Sequence, residues 1–330
     1  MNTYGRLFRV SIFGESHGGE VGVLIDGCPT GLEFTEADLT NDLDRRRAGG
    51  FGTSSRKEAD LPIIRSGMFQ GKTTGAPLLI GFKNADVDSR DYEAIKDTPR
   101  PGHADFTAHK KYGGFNDYRG GGHFSGRLTV GLVAAGVVAK KIIAPVTISS
   151  TLKEIGGEVD FHNKLTEAVE KGDSLGGIVE CTATHIPVGW GEPFFDSVES
   201  AISHIIFAIP AIKGIEFGAG FDCAKMTGSQ CNDSLIDLFG KTKTNHAGGI
   251  NGGITNGNDL VFRVAIKPTP SISRPLNTIN LNTGKSEEII VTGRHDACIA
   301  LRIPVILESA CAIALADLAM VDASNKVVQN

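Results

Sequence analysis

Leu7 to Phe13 and Glu20 to Asp26 are short apolar runs, and each predicts a strand on one side of the loop Gly14-Glu15-Ser16-His17-Gly18-Gly19. Thr35-Glu-Ala-Asp then reads as a capping box with Asp38 at N3, opening a helix that runs through Leu39 to about Asp44. Ile63 to Phe69 and Pro77 to Phe82 predict two strands of an antiparallel meander, followed by a polar connection from Asn84 to Lys96. Leu128 to Pro145 is the longest apolar stretch. Lys140 and Lys141 interrupt it and keep it short of a membrane span, so it predicts a buried helix from about Arg127 to Ile143.

In the second half, Thr147 to Glu154 predicts a strand, Asn163 to Lys171 an exposed helix and Gly176 to Thr184 an alternating strand. Val198, Ile202, Ile205 and Ile206 have helical spacing within Phe195 to Ala208, and Ala211 to Phe217 returns as strand. This rhythm echoes residues 63 to 143 and raises a pseudo-repeat that the letters alone do not establish. Leu260 to Ile266 alternates around Arg263, and Pro268 and Pro270 then forbid further ladder bonding. Ser286 to Thr292 predicts a strand, and a helix with an apolar face follows Arg302 and Pro304 through Ala310 to Met320. The polar tail from Val321 to Asn330 is expected to fray.

Composition narrows the class. An apolar share of 41% in 330 residues is enough for a sizeable core, in one large domain or two. A net charge of −5 gives no general attraction to nucleic acid or to an anionic membrane, so neither is an expected partner. The six cysteines form no Cys-x-x-Cys pair and the start lacks a charged-then-apolar signal, which points to reduced thiols in a cytoplasm. No metal site is expected. Forty-two glycines exceed the ordinary level of roughly 7% and concentrate in a few loops.

Those loops hold the candidate chemistry. His17, between glycines at a strand end, reads as a general acid or as a turn histidine bonded to backbone. Arg45, Arg46 and Arg47 favour a helix C-terminal dipole, yet the glycine loop after them leads to Arg56 and Lys57, and planar forks there suit carboxylate or phosphate. Pro99 and Pro101 hold Arg100 extended beside His103 and Asp105. Gly120 to Thr129 sets glycines, Ser125 and Arg127 before a helix, an anion site without the Gly-Lys-Ser/Thr of a nucleotide loop. Asn245 to Ser271 reads either as a glycine cradle for a phosphorylated cofactor, backed by Lys267, or as a hairpin with a glycine turn. Asp296, flanked by Arg294 and His295, reads as a proton acceptor or as one side of an ion pair that pins the loop.

Seven motifs in order resemble the chorismate synthase family, from residue 3 to about 318: Gly-Glu-Ser-His-Gly at 14 to 18, Asp-Leu-Asp-Arg-Arg-Arg at 42 to 47, Arg-Pro-Gly-His-Ala-Asp at 100 to 105, Asp-Tyr-Arg-Gly-Gly-Gly at 117 to 122, Asn-His-Ala-Gly-Gly-Ile at 245 to 250, Ile-Lys-Pro-Thr at 266 to 269 and Gly-Arg-His-Asp at 293 to 296. The resemblance implies a single domain over 1–330 with an α+β fold, a β-α-β sandwich of antiparallel sheets around central helices, in a homotetramer. It implies 1,4-elimination of phosphate from 5-enolpyruvylshikimate 3-phosphate to give chorismate, with reduced FMN and no net redox, and leaves open whether the chain reduces its flavin with NADPH. It matches His17 to the proton donor for phosphate, His103 to the one for the flavin, and Asp296 with Ser16 and Ser125 to a proton relay. Flavin contacts implied are His123, Phe124, Ser125, Ala211, Gly252, Lys267, Pro268, Thr269, Pro270, Ser271 and Arg294. Substrate contacts implied are Arg46, Arg47, Arg56, Arg100 and Arg127. His123, Phe124, Leu128, Thr53 and Pro210 depart from the family pattern, which makes an FMN-binding paralogue with weakened turnover the rival reading.

Overall fold

The computed structural model describes residues 2–325 apart from 57, 87 and 294, with the backbone alone at 91. Strands β1 (Thr3–Tyr4), β2 (Arg9–Gly14) and β3 (Glu20–Asp26) are followed by helix α1 (Glu36–Arg46) and strand β4 (Pro62–Ser66). A small hairpin of β5 (Met68–Phe69) and β6 (Lys72–Thr73) leads into β7 (Leu78–Lys83). The connection onward holds short helices α2 (Arg90–Glu93) and α3 (Asp105–Tyr112) before helix α4 (Thr129–Ile142). The second half runs β8 (Thr147–Ile155), α5 (His162–Glu170), β9 (Gly177–Thr184), α6 (Val198–Ile206), β10 (Ile212–Phe217) and α7 (Gly228–Cys231). Hairpin β11 (Ile250–Asn251) and β12 (Ile254–Thr255), strand β13 (Leu260–Ile266), hairpin β14 (Leu276–Ile279) and β15 (Ser286–Ile289), and helix α8 (Ile303–Asn325) complete it.

Two antiparallel sheets, ordered β1-β2-β3-β7-β4 and β10-β13-β9-β8, sandwich α4 and α8. The architecture is therefore α+β. In β13 the alternation works as its sequence dictates: Leu260, Phe262, Val264 and Ile266 are buried, while Arg263 pairs across the sheet with Glu216 at 3.0 Å. Both central helices are buried nearly all round, which a helix apolar on every face requires. They approach closely at Gly136, where a Cβ would lie 2.3 Å from that of Ser309. Glu308, 2% exposed, ties the layers by accepting from Arg45 at 2.6 Å, Lys140 at 3.3 Å and the Ser150 N–H at 3.0 Å.

The halves repeat one topology. Taken as β2-β3-α1-β4-β7-α4 and β8-β9-α6-β10-β13-α8, they give the same strand order in their sheets, β2-β3-β7-β4 and β8-β9-β13-β10. The repeat thus begins at residue 9, not 63, because its first hairpin pairs strands on the far side of α1.

Other expectations need local correction. The strand expected over Ile63 to Phe69 breaks at Gly67 (φ +85°), and the polar connection after Asn84 contains α2. Helix α8 continues through Asn325 instead of ending at Met320, and 326–330 lie outside the described residues. The glycine stretch after Asn245 is a hairpin, with Gly252 and Gly253 turning between β11 and β12.

Candidate active site

Three loops of the first half and one arm of the second converge beside the glycines at 120 to 122. His17 sits in the β2–β3 loop, 9% exposed, with Nδ1 2.8 Å from Ser89 Oγ and its ring edge-on to Tyr92 at 5.2 Å. Next to it, Arg56 donates to Ser16 Oγ at 3.1 Å and to the Ser16 carbonyl at 3.3 Å, and pairs with Glu58 at 2.7 Å. Burial first, and then the Arg56 guanidinium, push His17 below the ordinary imidazole range.

Arg100 is buried between its prolines. Its Nε donates to Asp105 at 2.7 Å and its Nη1 to Ser271 Oγ at 3.1 Å, with the guanidinium 5.6 Å over the Tyr92 ring. His103 Nδ1 lies 2.5 Å from Asp105 Oδ1. Burial alone would raise the Asp105 carboxyl; hydrogen bonds from His103 and Arg100 override it and hold it well below the usual carboxylate range.

The glycines join these two groups. A Cβ at Gly120 would fall 2.5 Å from His17 Nε2 and 2.9 Å from Ser16 Oγ, and one at Gly121 would fall 3.3 Å from His103 Nε2. Both residues have positive φ, at +60° and +80°. Two imidazoles therefore rest, through Nε2, against consecutive stretches of bare backbone. Ser125, 3.9 Å from the Gly121 Cβ position, caps the following turn by accepting from the Arg127 N–H at 3.2 Å.

The arm after β13 closes the other side. Lys267 donates through Nζ to the Gly102 carbonyl and through its N–H to Ala211 at 2.9 Å, and Ala211 itself holds φ +75°. Among the described residues, the Thr269 hydroxyl is buried without a hydrogen-bond partner. Deeper in, Asp60 bridges two buried arginines, pairing with Arg46 at 2.6 Å and with Arg127, whose Nε also donates to Asn84 at 2.9 Å. Burial lowers Arg46 to about 10 against the pull of Asp60.

Several other expected residues have partners of their own in the single chain. Arg47 pairs with Asp44 at 2.9 Å at the end of α1. His123 is held by the Gly14 carbonyl at 2.8 Å and by Asn2, Phe124 packs near Tyr112, and Gly252 stands at its hairpin tip with nothing within 4 Å of a Cβ. Pro268 and Pro270 lie along the arm, with Pro270 Cβ 3.5 Å from a Cβ at Gly102. Arg294 lies outside the described residues. Asp296 accepts from the Ser54 N–H at 2.7 Å and from Arg302 at 3.2 Å, and no hydrogen bond among the described residues joins it to Ser16 or Ser125.

Sequence reasoning missed Ser89, Tyr92 and Asp60. Ser89 precedes a single helical turn and could have been flagged as an N-cap residue. Asp60 left no such signal, since its partners are far away in sequence and its positive φ of 49° is not written in the letters.

The arrangement sets two imidazoles, groups able to move protons, beside guanidiniums, groups that suit a multiply charged anion. The chain matches the family model described as chorismate synthase over residues 8–320. It is 59% identical to a chorismate synthase of Chitinophaga pinensis over 332 residues, covering 100% of both chains, and 45% identical to one of Pyrococcus abyssi, covering 95% and 96%. A crystal structure of chorismate synthase superposes with a TM-score of 0.74 at 27% identity, over 96% of this chain and 92% of that one. With its fold, its ordered motifs and its full-length relatives in agreement, this chain belongs to the chorismate synthase family.

Proposed function

We infer that the chain is a carbon–oxygen lyase acting on phosphates, performing the anti-1,4-elimination that turns 5-enolpyruvylshikimate 3-phosphate into chorismate at the end of the shikimate pathway. The placement of His17 and His103 against Gly120 and Gly121, flanked by Arg56 and Arg100, carries this reading. Guanidiniums held partly out of water suit a phosphorylated dicarboxylate, and gathering them here would let a chain of net charge −5 hold such a ligand. His17 would pass a proton from Nε2 to the departing phosphate, and His103 would hold one at Nε2 with its Nδ1 fixed by Asp105.

Residues on this side of the cleft fit FMN. The orphan Thr269 hydroxyl, Lys267, Ser271, Ser125 and the strained Ala211 backbone offer donors and close approach to a flat, phosphorylated ligand. Reduced FMN, when bound there, supplies an electron source for the elimination without net redox. The protein's own share is orientation, exclusion of water and proton placement. We also read the chain as cytoplasmic and as a homotetramer; the exposed apolar side chains of Leu235, Leu238 and Phe239 between β10 and β11 support association of copies.

Anaerobic mixing with 5-enolpyruvylshikimate 3-phosphate and dithionite-reduced FMN tests this reading. Phosphate and chorismate should appear in equal amounts. FMN binding without phosphate release would favour a non-catalytic paralogue instead. Bleaching of FMN by NADPH under the same conditions would show that the chain reduces its own flavin.

A further inference from the structure

The Nδ1 atoms of the two imidazoles are held by different chemistry. That of His103 faces Asp105, a permanent acceptor already paired with Arg100. That of His17 faces the Ser89 hydroxyl at 2.8 Å, which can either donate or accept. Ser89 heads α2, and Tyr92 in the same turn touches the His17 ring and carries the Arg100 guanidinium over its face. One turn of chain thus braces an imidazole and an arginine.

We propose that Ser89 is a positioning residue whose hydroxyl fixes the His17 ring with Nε2 toward the Gly120 backbone and serves both its neutral and its protonated forms. The proposal deepens the reading of His17 as proton donor to phosphate and rests on it. When the neutral ring carries its proton on Nε2, the Ser89 O–H donates to Nδ1; when the ring is protonated, Nδ1–H donates to the Ser89 oxygen. A carboxylate in this place would hold the imidazolium and resist its discharge. The charged groups facing His17 are Arg56 before β4, Asp117 and Arg119 before the glycines, and Asp88 next to Ser89. They carry both signs, so the neutral partner at Nδ1 leaves the ring free to gain a proton when a phosphate dianion arrives and to give it up as phosphate leaves.

The test compares the parent with Ser89→Ala, Ser89→Thr, Ser89→Asp and His17→Ala. Readouts are the nitrogen NMR titration of the His17 ring in the flavin-free chain, and kcat and KM across pH with reduced FMN. Ser89→Ala should lower kcat roughly tenfold, a part of the 10²–10⁴ that a positioned acid contributes, with KM little changed. Ser89→Thr should restore it. Ser89→Asp should raise the ring's titration midpoint by about one unit and move the pH–kcat profile with it. A Ser89→Ala chain with the parent's ring titration and pH–kcat profile would overturn the proposal while a loss in His17→Ala left the acid reading intact. A His17→Ala chain that turned over like the parent would overturn the acid reading, and with it the catalytic purpose assigned to Ser89, whatever the titration showed.

Discussion

In the first half, the loop from β2 to β3 is residues 15–19 and holds Ser16 and His17. In the second, the corresponding connection from β8 to β9 runs through 156–176, folds α5, and meets the arm after β13 through Ser174, whose hydroxyl donates to the Thr269 carbonyl at 2.7 Å, and through Asp173, which pairs with Arg274 at 2.7 Å. Helix α1 ends in arginines and buries Asp42 and Arg46, whereas its counterpart α6 buries only Val198, Ile202, Ile205 and Ile206. The long connections before α4 and α8 are also equivalents, and they meet. Arg100 reaches Ser271, Lys267 reaches the Gly102 carbonyl, and the Leu281 N–H donates to Asp97 at 2.8 Å. The same scaffold is thus used twice, and the candidate site lies where equivalent connections touch, with the two imidazoles on one copy and the arm after β13 on the other.

The comparison breaks most directly at the imidazoles. His17→Ala and His103→Ala should each lower kcat by about 10²–10⁴-fold with FMN affinity mostly kept, whereas His162→Ala on the β8–β9 connection should leave steady-state rates unchanged.

Asp60 comes next. Asp60→Asn leaves Arg46 and Arg127 buried without their carboxylate and should cost about 3–5 kcal/mol, read as a fall in the thermal midpoint. Burial would raise the Asp60 carboxyl, but Arg46 and Arg127 hold its folded value below the ordinary range. Its contribution is therefore full above the unfolded value of about 4 and lost as pH falls through the depressed folded value. Acid titration of stability should accordingly be shallower in Asp60→Asn than in the parent.

Gly120→Ala probes the wall between the imidazoles. The new methyl must displace His17, and a shift near 1 Å should lower kcat/KM by about 10²-fold while the fold is kept, as read by circular dichroism. The smallest effect belongs to the second half: Lys225→Ala removes an exposed partner of Asp222 and should change neither the thermal midpoint nor the rate.

Much of this was legible in the letters where period and burial coincide. The alternation of β13, the apolar run of α4 and the Thr35–Asp38 cap, with Asp38 accepting from the Thr35 N–H at 2.8 Å, all follow from local rules. The three arginines ending α1 show where such rules stop. Successive residues diverge around a helix, so Arg45 goes to Glu308, Arg46 to Asp60 and Arg47 to Asp44. Their order in the chain does not say which one faces the cleft. Tertiary partners decide that, and Asp60 and Glu308 lie 14 and 263 positions away from the arginines they bind.

The central claim is that His17 and His103 serve one complex of substrate and flavin at one junction. Its most direct test is a titration of the ring resonances of both imidazoles with 5-enolpyruvylshikimate 3-phosphate, in the presence of oxidised FMN so that no turnover occurs. Both rings should shift with a single shared midpoint. A ligand that moved one ring and left the other unperturbed, or moved them at separate midpoints, would contradict it.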